Sequence, residues 1–260
     1  GNISAVYIFE GMLTINGGSF DIKQMSSQGD RRFTINCYDS SYATGKAQVS
    51  INGGTFNGFD PANNLAEGTG TTFTAPGYTT VANADGTYGV VAGVAQIGTK
   101  AYVTLADAVA AAQDGETVTL LADAAEDVVI SKSITLDLGG KTLTNTNAGK
   151  ATISVQGDTV TVKNGNVLGG TGYYNIEVTK DSNANLTLTD VTATAGNTGS
   201  SMIDNWGTLT ITSGTYTGGL DVVKSEEGSK LTITGGTFTL NYATDGYTAV
   251  ILVYGDTTIS

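Results

Sequence analysis

A three-residue phrase, apolar-Thr-apolar, recurs along this chain and limits its fold more than any other feature. It stands at Leu13-Thr14-Ile15, Ile134-Thr135-Leu136, Val160-Thr161-Val162, Leu186-Thr187-Leu188, Leu209-Thr210-Ile211 and Leu231-Thr232-Ile233. From Leu136 its last apolar residue returns after 26, 26, 23, 22 and 26 residues, at Val162, Leu188, Ile211, Ile233 and Ile259. A period in this range marks a solenoid or an array. Each interval holds further short apolar patches, such as Leu143 and the Ile153/Val155 pair between Leu136 and Val162. Three short strands per turn, with no helix between them, describe a coil of a parallel β-helix. Alternate side chains of a strand face opposite sides, so the apolar residues stack inward and Thr lies outside. One coil cannot bury its apolar face alone, so stability is collective.

Several phrases run on into a Gly turn and an aromatic: Asn16-Gly17-Gly18-Ser19-Phe20, Asn52-Gly53-Gly54-Thr55-Phe56, Ser213-Gly214-Thr215-Tyr216 and Gly235-Gly236-Thr237-Phe238. Composition agrees with many short strands and tight corners. Gly accounts for 36 of 260 residues, Pro for 2, and charged residues for 14%, against roughly 25% charged in an ordinary domain. The fold expected is all-β, a single-stranded parallel β-helix with one short capping α-helix and a small β-hairpin connector.

Three regions are expected. Residues 1–60 carry two Gly-Gly-aromatic coils and read as the end of a preceding solenoid. Residues 61–96 are irregular, contain both Pro61 and Pro76, and form a connector. Within it Tyr78–Val81 and Thr87–Val91 make a hairpin turning at Asp85-Gly86. Residues 97–260 are the main β-helix. Its helix spans 104–114, with Thr104 as N-cap, Asp107 as the capping-box acid and Gly115 as the stop. The helix covers the first coil's open edge, which would otherwise invite aggregation.

Three segments resemble the right-handed, pectate-lyase-like parallel β-helix repeats of large bacterial adhesin-like surface proteins. They are the coils of the Ile233–Phe238 type, the hairpin Gly77–Val91, and the run Ile97–Leu121 leading to Ile134–Leu143. The resemblance touches most of the chain and is specific for architecture rather than activity. It implies a secreted protein held at the bacterial cell wall or surface. No anchor motif and no signal peptide is visible, and Gly1 leads directly into a strand-like run, so the chain reads as an excised piece.

The two ends resemble each other. Residues 5–16 and 249–260 align without gaps, with Ala5/Ala249, Val6/Val250, Gly11/Gly255, Thr14/Thr258 and Ile15/Ile259 identical. The last coil thus resembles the first. The expectation is a unit of a tandem array, or of an end-to-end assembly in which a contact that does not close generates fibres.

Several kinds of chemistry are excluded. There is no His, so imidazole bases, Ser-His and Cys-His nucleophiles and His-ligated metals are impossible. Cys37 is alone, so no intrachain disulfide and no thiolate zinc site forms. The net charge of −12 repels nucleic acid and anionic membranes. The longest apolar runs, such as Ala249–Val253, cannot cross a bilayer. No calcium-loop pattern occurs, and no metal or cofactor is expected.

Paired carboxylates are the remaining catalytic option, and a glycosidase needs two. Candidates on or beside strands are Asp137, Asp158, Asp190, Asp204 and Asp221, with no Asp-x-Asp or Asp-Asp phrase among them. Asp190 and Asp204 are placed to meet in adjacent coils; the alternative is that Asp sits at turns because it tolerates their geometry. A lyase base would have to be Arg31 or Arg32, the only arginines, which read as part of a loop. The pairs Thr187/Thr189, Thr210/Thr212 and Thr232/Thr234 form an outward ladder similar to that of ice-binding solenoids, although β-branched Thr is a good solvent-facing strand residue in any case. Trp206, Tyr173, Tyr174, Tyr242 and Tyr247 lie in turns and could stack on sugars; corner aromatics also serve as packing. The ligand-binding candidates are therefore Trp206, Asp204, Asp190, Tyr173 and Tyr174. The function expected is a non-catalytic structural or adhesive module, with end-to-end self-association or a host or glycan ligand. The alternative is a β-helix that binds or hydrolyses a neutral glycan.

Overall fold

The computed structural model describes residues 3–23, 33–180, 183–241 and 248–260. Arg31, Arg32, Tyr242 and Tyr247 lie outside the described residues. The chain is nearly all β and forms a parallel β-solenoid. It divides into two compact units, one of Gly1–Gly93 with Thr99–Val103, the other of Val94–Gly98 with Thr104–Ser260.

In the first unit Val6–Ile8 pairs in parallel with Ile35–Cys37, and Gly11–Phe20 with Ala47–Asn57. The register sets Ile15 on Ile51 and Phe20 on Phe56. The two rings stack with centroids 5.0 Å apart. The Gly-Gly-aromatic phrase thus places one ring above another after a local shift in register. That shift requires glycine at residue 53, where a Cβ would fall 2.4 Å from the Asn16 carbonyl oxygen. A short helix, Asp39–Ala43, and a 3-10 turn, Pro61–Asn63, interrupt the strands.

The hairpin of Tyr78–Ala82 and Thr87–Ala92 forms as expected, but it is not a separate connector. Its second arm pairs antiparallel with the end of Ala47–Asn57. Phe59, Phe73 and Val90 share one core with Ile15, Ile35 and Ile51. The irregular region belongs with the first coils because its aromatic residues complete their core.

The second unit repeats three strand positions. The first carries Thr117–Leu120, Thr135–Asp137, the beginnings of Val160–Leu168 and Asn185–Thr194, then Thr208–Ile211, Lys230–Ile233 and Asp256–Ile259. All pair in parallel, and the inward row runs Val118, Leu136, Val162, Leu188, Ile211, Ile233, Ile259. The intervals read from the phrase are therefore the pairing register itself. One residue before each member of that row stands a Thr: 117, 135, 161, 187, 210, 232 and 258. The second position stacks Leu143, Val167, Ala193, Tyr216 and Phe238. Tyr216 and Phe238 stack at 5.1 Å, repeating the arrangement of Phe20 and Phe56.

The third position is a six-stranded sheet of Val128–Ile130, Ile153–Val155, Ile176–Val178, Ile203–Asn205, Val223–Ser225 and Ile251–Val253. Its strands recur after 25, 23, 27, 20 and 28 residues. One inward row turns polar partway along: Ile130, Val155 and Val178 give way to Asn205 and Ser225.

The helix is Leu105–Ala111, shorter than expected. Thr104 is its N-cap, with Oγ1 accepting from the Asp107 N–H at 3.0 Å. The remaining free N–H groups of Leu105 and Ala106 donate to the Glu126 carboxylate, each at 2.9 Å. The cap thus comes from a loop 20 residues on. At the other end Lys132 Nζ donates to the Ala110 and Ala112 carbonyls, closing the helix before Gly115, which takes positive φ in the following turn. The helix packs on Val128–Ile130 and Thr117–Leu120, and Ala95–Ile97 pairs antiparallel with the latter, so the first coil's edge is covered.

Gly11/Gly255 and Ile15/Ile259 hold equivalent places in their coils, but the ungapped match of the ends does not extend to the strand before them. The inward pair is Val6/Ile8 in one and Ile251/Val253 in the other. Two residues separate Ile8 from Gly11 and one separates Val253 from Gly255, so that strand is one residue out of step.

Candidate functional site

On the six-stranded sheet the outward row reads Val129, Ser154, Glu177, Asp204, Lys224, Leu252. Three neighbouring rungs therefore carry a carboxylate, a carboxylate and an ammonium. Asp204 is at the centre and is only 1% exposed. Its Oδ2 accepts the indole N–H of Trp206 at 2.7 Å. Its Oδ1 is buried without a hydrogen-bond partner among the described residues. The carboxyl is pushed up to about 6, chiefly by burial and with Glu226 and Glu177 adding to it, against the opposing Trp206 bond and Lys224.

The surrounding groups are aromatic or charged. Tyr173 and Tyr174 contact each other at 4.5 Å with rings tilted by 55°. Burial pushes the Tyr174 hydroxyl up to about 12, and the nearby Asp204 charge adds to the effect. Tyr173 moves the same way, from burial and then Glu177 and Asp204. Lys180 Nζ lies 4.4 Å from the Trp206 ring centroid and Lys224 Nζ 5.9 Å from that of Tyr254. Lys224 pairs with Glu226, whose side chain holds the lysine above its usual value. Gly207 fixes the corner beside Trp206. A Cβ there would fall 2.4 Å from the Ala184 carbonyl oxygen.

Four of the five expected site residues, Trp206, Asp204, Tyr173 and Tyr174, thus lie in one patch. Asp190 does not. It stands at a corner of the Thr-bearing sheet, at φ 53, in register with Asn164 at φ 58. Its Oδ1 accepts from Ser213 Oγ at 2.7 Å, and its N–H donates back to that hydroxyl at 2.9 Å. Asp and Asn tolerate this left-handed geometry, so Asp190 is a turn residue and does not meet Asp204. Among the other acids, Asp137 pairs with Lys163 at 3.4 Å. Buried Asp221 accepts from Ser201 Oγ at 3.1 Å and the Ala249 N–H at 2.8 Å. Asp158 is exposed.

Glu177, Lys224, Glu226, Lys180 and Tyr254 were missed by the sequence reading. The Thr phrase indexes the other sheet; the signal here was the separate recurrence of Ile176, Ile203 and Val223.

The Thr residues of the long row are exposed or half-buried. Of the second Thr row, Thr189 and Thr212 share a hydroxyl hydrogen bond at 2.7 Å. That row is interrupted by Asp137 and Lys163, so the double ladder covers only part of the sheet. In the first unit a cleft of about 460 Å³ is lined by Asn63, Thr72, Thr74, Tyr78 and Lys100. Buried Cys37 donates its N–H to Glu67 at 2.7 Å, and its thiol is pushed up to about 12, chiefly by burial. That thiol is no nucleophile near neutral pH.

Among the described residues no group of three or more Cys, Asp and Glu side chains could hold a metal ion. No helix among them is long and apolar enough to cross a membrane. Comparison with protein-family models, curated proteins and solved structures finds no match.

Proposed function

We propose that the chain is a non-catalytic structural and adhesive module of a bacterial cell-surface protein, working outside the cell. The observation that carries this reading is the division of labour between two sheets of one unit. One repeats an outward Thr through seven rungs, a surface suited to spacing and solvation. The other gathers Glu177, Asp204, Lys224 and four aromatic rings around one unsatisfied buried oxygen. The residue-level resemblance to adhesin-like repeats supports the same reading. Retention on a mucin-coated surface tests it. Retention is expected to exceed that on an uncoated surface and to fall when the mucin glycans are stripped; equal retention on all three surfaces would sink the adhesive role.

Hydrolysis is the second reading, with its own observation. Glu177 and Asp204 are direct neighbours on paired strands, so both acids stand on the same outward row, and a retaining glycosidase uses two acids on one face. Cleavage needs room at the acid for a glycosidic bond and a water, and Asp204 is covered, which favours binding. Release of reducing sugar from neutral polysaccharides, abolished by Glu177→Gln, would reverse this preference.

End-to-end assembly rests on a different feature. Residues 5–16 and 249–260 carry Ala5/Ala249, Gly11/Gly255 and Ile15/Ile259 at matching places in the sequence. In such an assembly a second copy's Val6–Phe20 coil would pair with the Ile251–Ile259 coil. Sedimentation coefficients that rise with concentration are expected; a monomer at all concentrations removes this element.

A further inference from the structure

We infer that the patch around Asp204 is a subsite for one neutral pyranose ring, with Asp204 accepting sugar hydroxyls and the Trp206 corner forming one wall. This rests on the adhesive reading and gives it a ligand class. The buried Asp204 oxygen without a partner is the first ground. A buried acceptor left unpaired is costly, and a hydroxyl donor supplies what it lacks.

Charge selects the ligand class. An anionic ligand meets Glu177, Asp204 and Glu226 together. A cationic one finds the aromatic faces in use, with Lys180 over Trp206 and Lys224 over Tyr254 and against Glu226. What suits alternating acceptors and ammonium donors beside aromatic rings is a neutral molecule that donates and accepts at many points. A sugar ring does so, and its C–H face suits the Tyr173–Tyr174 pair, over which no lysine stands among the described residues. Asp204 is covered at rest, so the ligand enters as the half-buried Tyr173–Tyr174 pair turns aside.

Titration adds a signature. Ionised Asp204 accepts from a hydroxyl more strongly than the neutral acid does. The groups facing it are Glu177, Tyr173, Tyr174, Trp206, Lys224 and Glu226, and burial pushes the Asp204 carboxyl itself up to about 6. Affinity therefore rises as pH passes upward through about 6.

Trp206 is the only tryptophan of the chain, so tryptophan emission, excited beyond the tyrosine absorption band, reports on this patch. The experiment titrates the protein with neutral gluco-, galacto- and manno-oligosaccharides, a uronate oligomer and a glucosamine oligomer, with calorimetry in parallel. Saturable binding of a neutral oligosaccharide is expected, weakened at least tenfold in Asp204→Asn, which puts an amide where the acceptor must be. Asp190→Asn, on the other sheet, is expected to bind as the wild type does. Circular dichroism of each variant checks folding. Three results overturn the subsite: no saturation by any neutral sugar, preference for a charged oligomer, or equal binding by Asp204→Asn. If the subsite fails while the protein is still held by mucin glycans, the adhesive reading survives without it; loss of both removes the adhesive role.

Discussion

Two sheets of the second unit are built by the same turns of chain under the same rule of apolar side chains inward and polar side chains outward, yet their outer rows differ. One repeats Thr at seven successive rungs. The other changes at every rung, from Val129 to Leu252, and concentrates charge in the middle. Inside they differ too, since Asn205 and Ser225 take inward places that aliphatic residues hold in earlier coils. A repeating core fixes which side chains point out without fixing what they are. Uniformity on one sheet therefore reads as scaffold, and variation on the other as specialisation.

The largest expected effect tests the shared core. Leu188 is fully buried between Val162 and Ile211, so Leu188→Ala is expected to cost about 2–5 kcal/mol. Urea unfolding measures it, and a loss under about 1 kcal/mol would mean that the inward row does not act collectively.

The next effect separates the sheets by pH. The Asp204 carboxyl is raised from 3.8 to about 6 on folding. A raised acid leaves stability untouched below the unfolded value, where both states hold the proton. It lowers stability as pH rises through the folded value, because the folded state resists ionising. The penalty at pH 8 is about 3 kcal/mol. Asp204→Asn is expected to remove it, giving greater stability than wild type at pH 8 and none at pH 3. Unfolding midpoints across that range give the answer, and parallel curves would show that Asp204 is not the source.

A smaller effect concerns the polar interior. Asn205 Nδ2 donates to the Lys230 carbonyl at 3.0 Å and to Ser225 Oγ at 3.3 Å, and Oδ1 accepts the Gly207 N–H at 3.2 Å. Asn205→Ala removes these three bonds and is expected to cost about 1–3 kcal/mol. It is also expected to loosen the Trp206 corner, seen as a red-shifted emission maximum; an unchanged spectrum would separate the polar interior from the patch. The smallest effect belongs to the uniform row. Thr210→Val is expected to change stability by no more than about 0.5 kcal/mol in the same urea assay, and a larger loss would show that the Thr hydroxyls do more than solvate the surface.

The part of this comparison that was legible in the sequence is the part that repeats. The apolar-Thr-apolar phrase gave the pairing of Leu136 with Val162 and onward to Ile259, because residues that stack must recur in step. Four members of the patch could be named from residue type and turn position. Their neighbours could not, because Glu177, Asp204 and Lys224 share no residue type and their strands recur at unequal intervals. Asp190 was misplaced for a related reason: an acid beside a strand looks alike at a corner and on a face, and only the backbone angle separates them. Thr104 was legible as the helix N-cap, but the second acceptor, Glu126, was hidden because it approaches from a loop 20 residues on.

The unequal intervals of the six-stranded sheet have a consequence for how such a chain changes over time. Successive turns are 20 to 28 residues long while the pairing stays in register, so the stretches between its strands absorb differences of up to eight residues. Length changes confined to those stretches leave the packed interior alone and alter what flanks a given rung. The outer face can thus be altered one coil at a time on a frame that stays fixed.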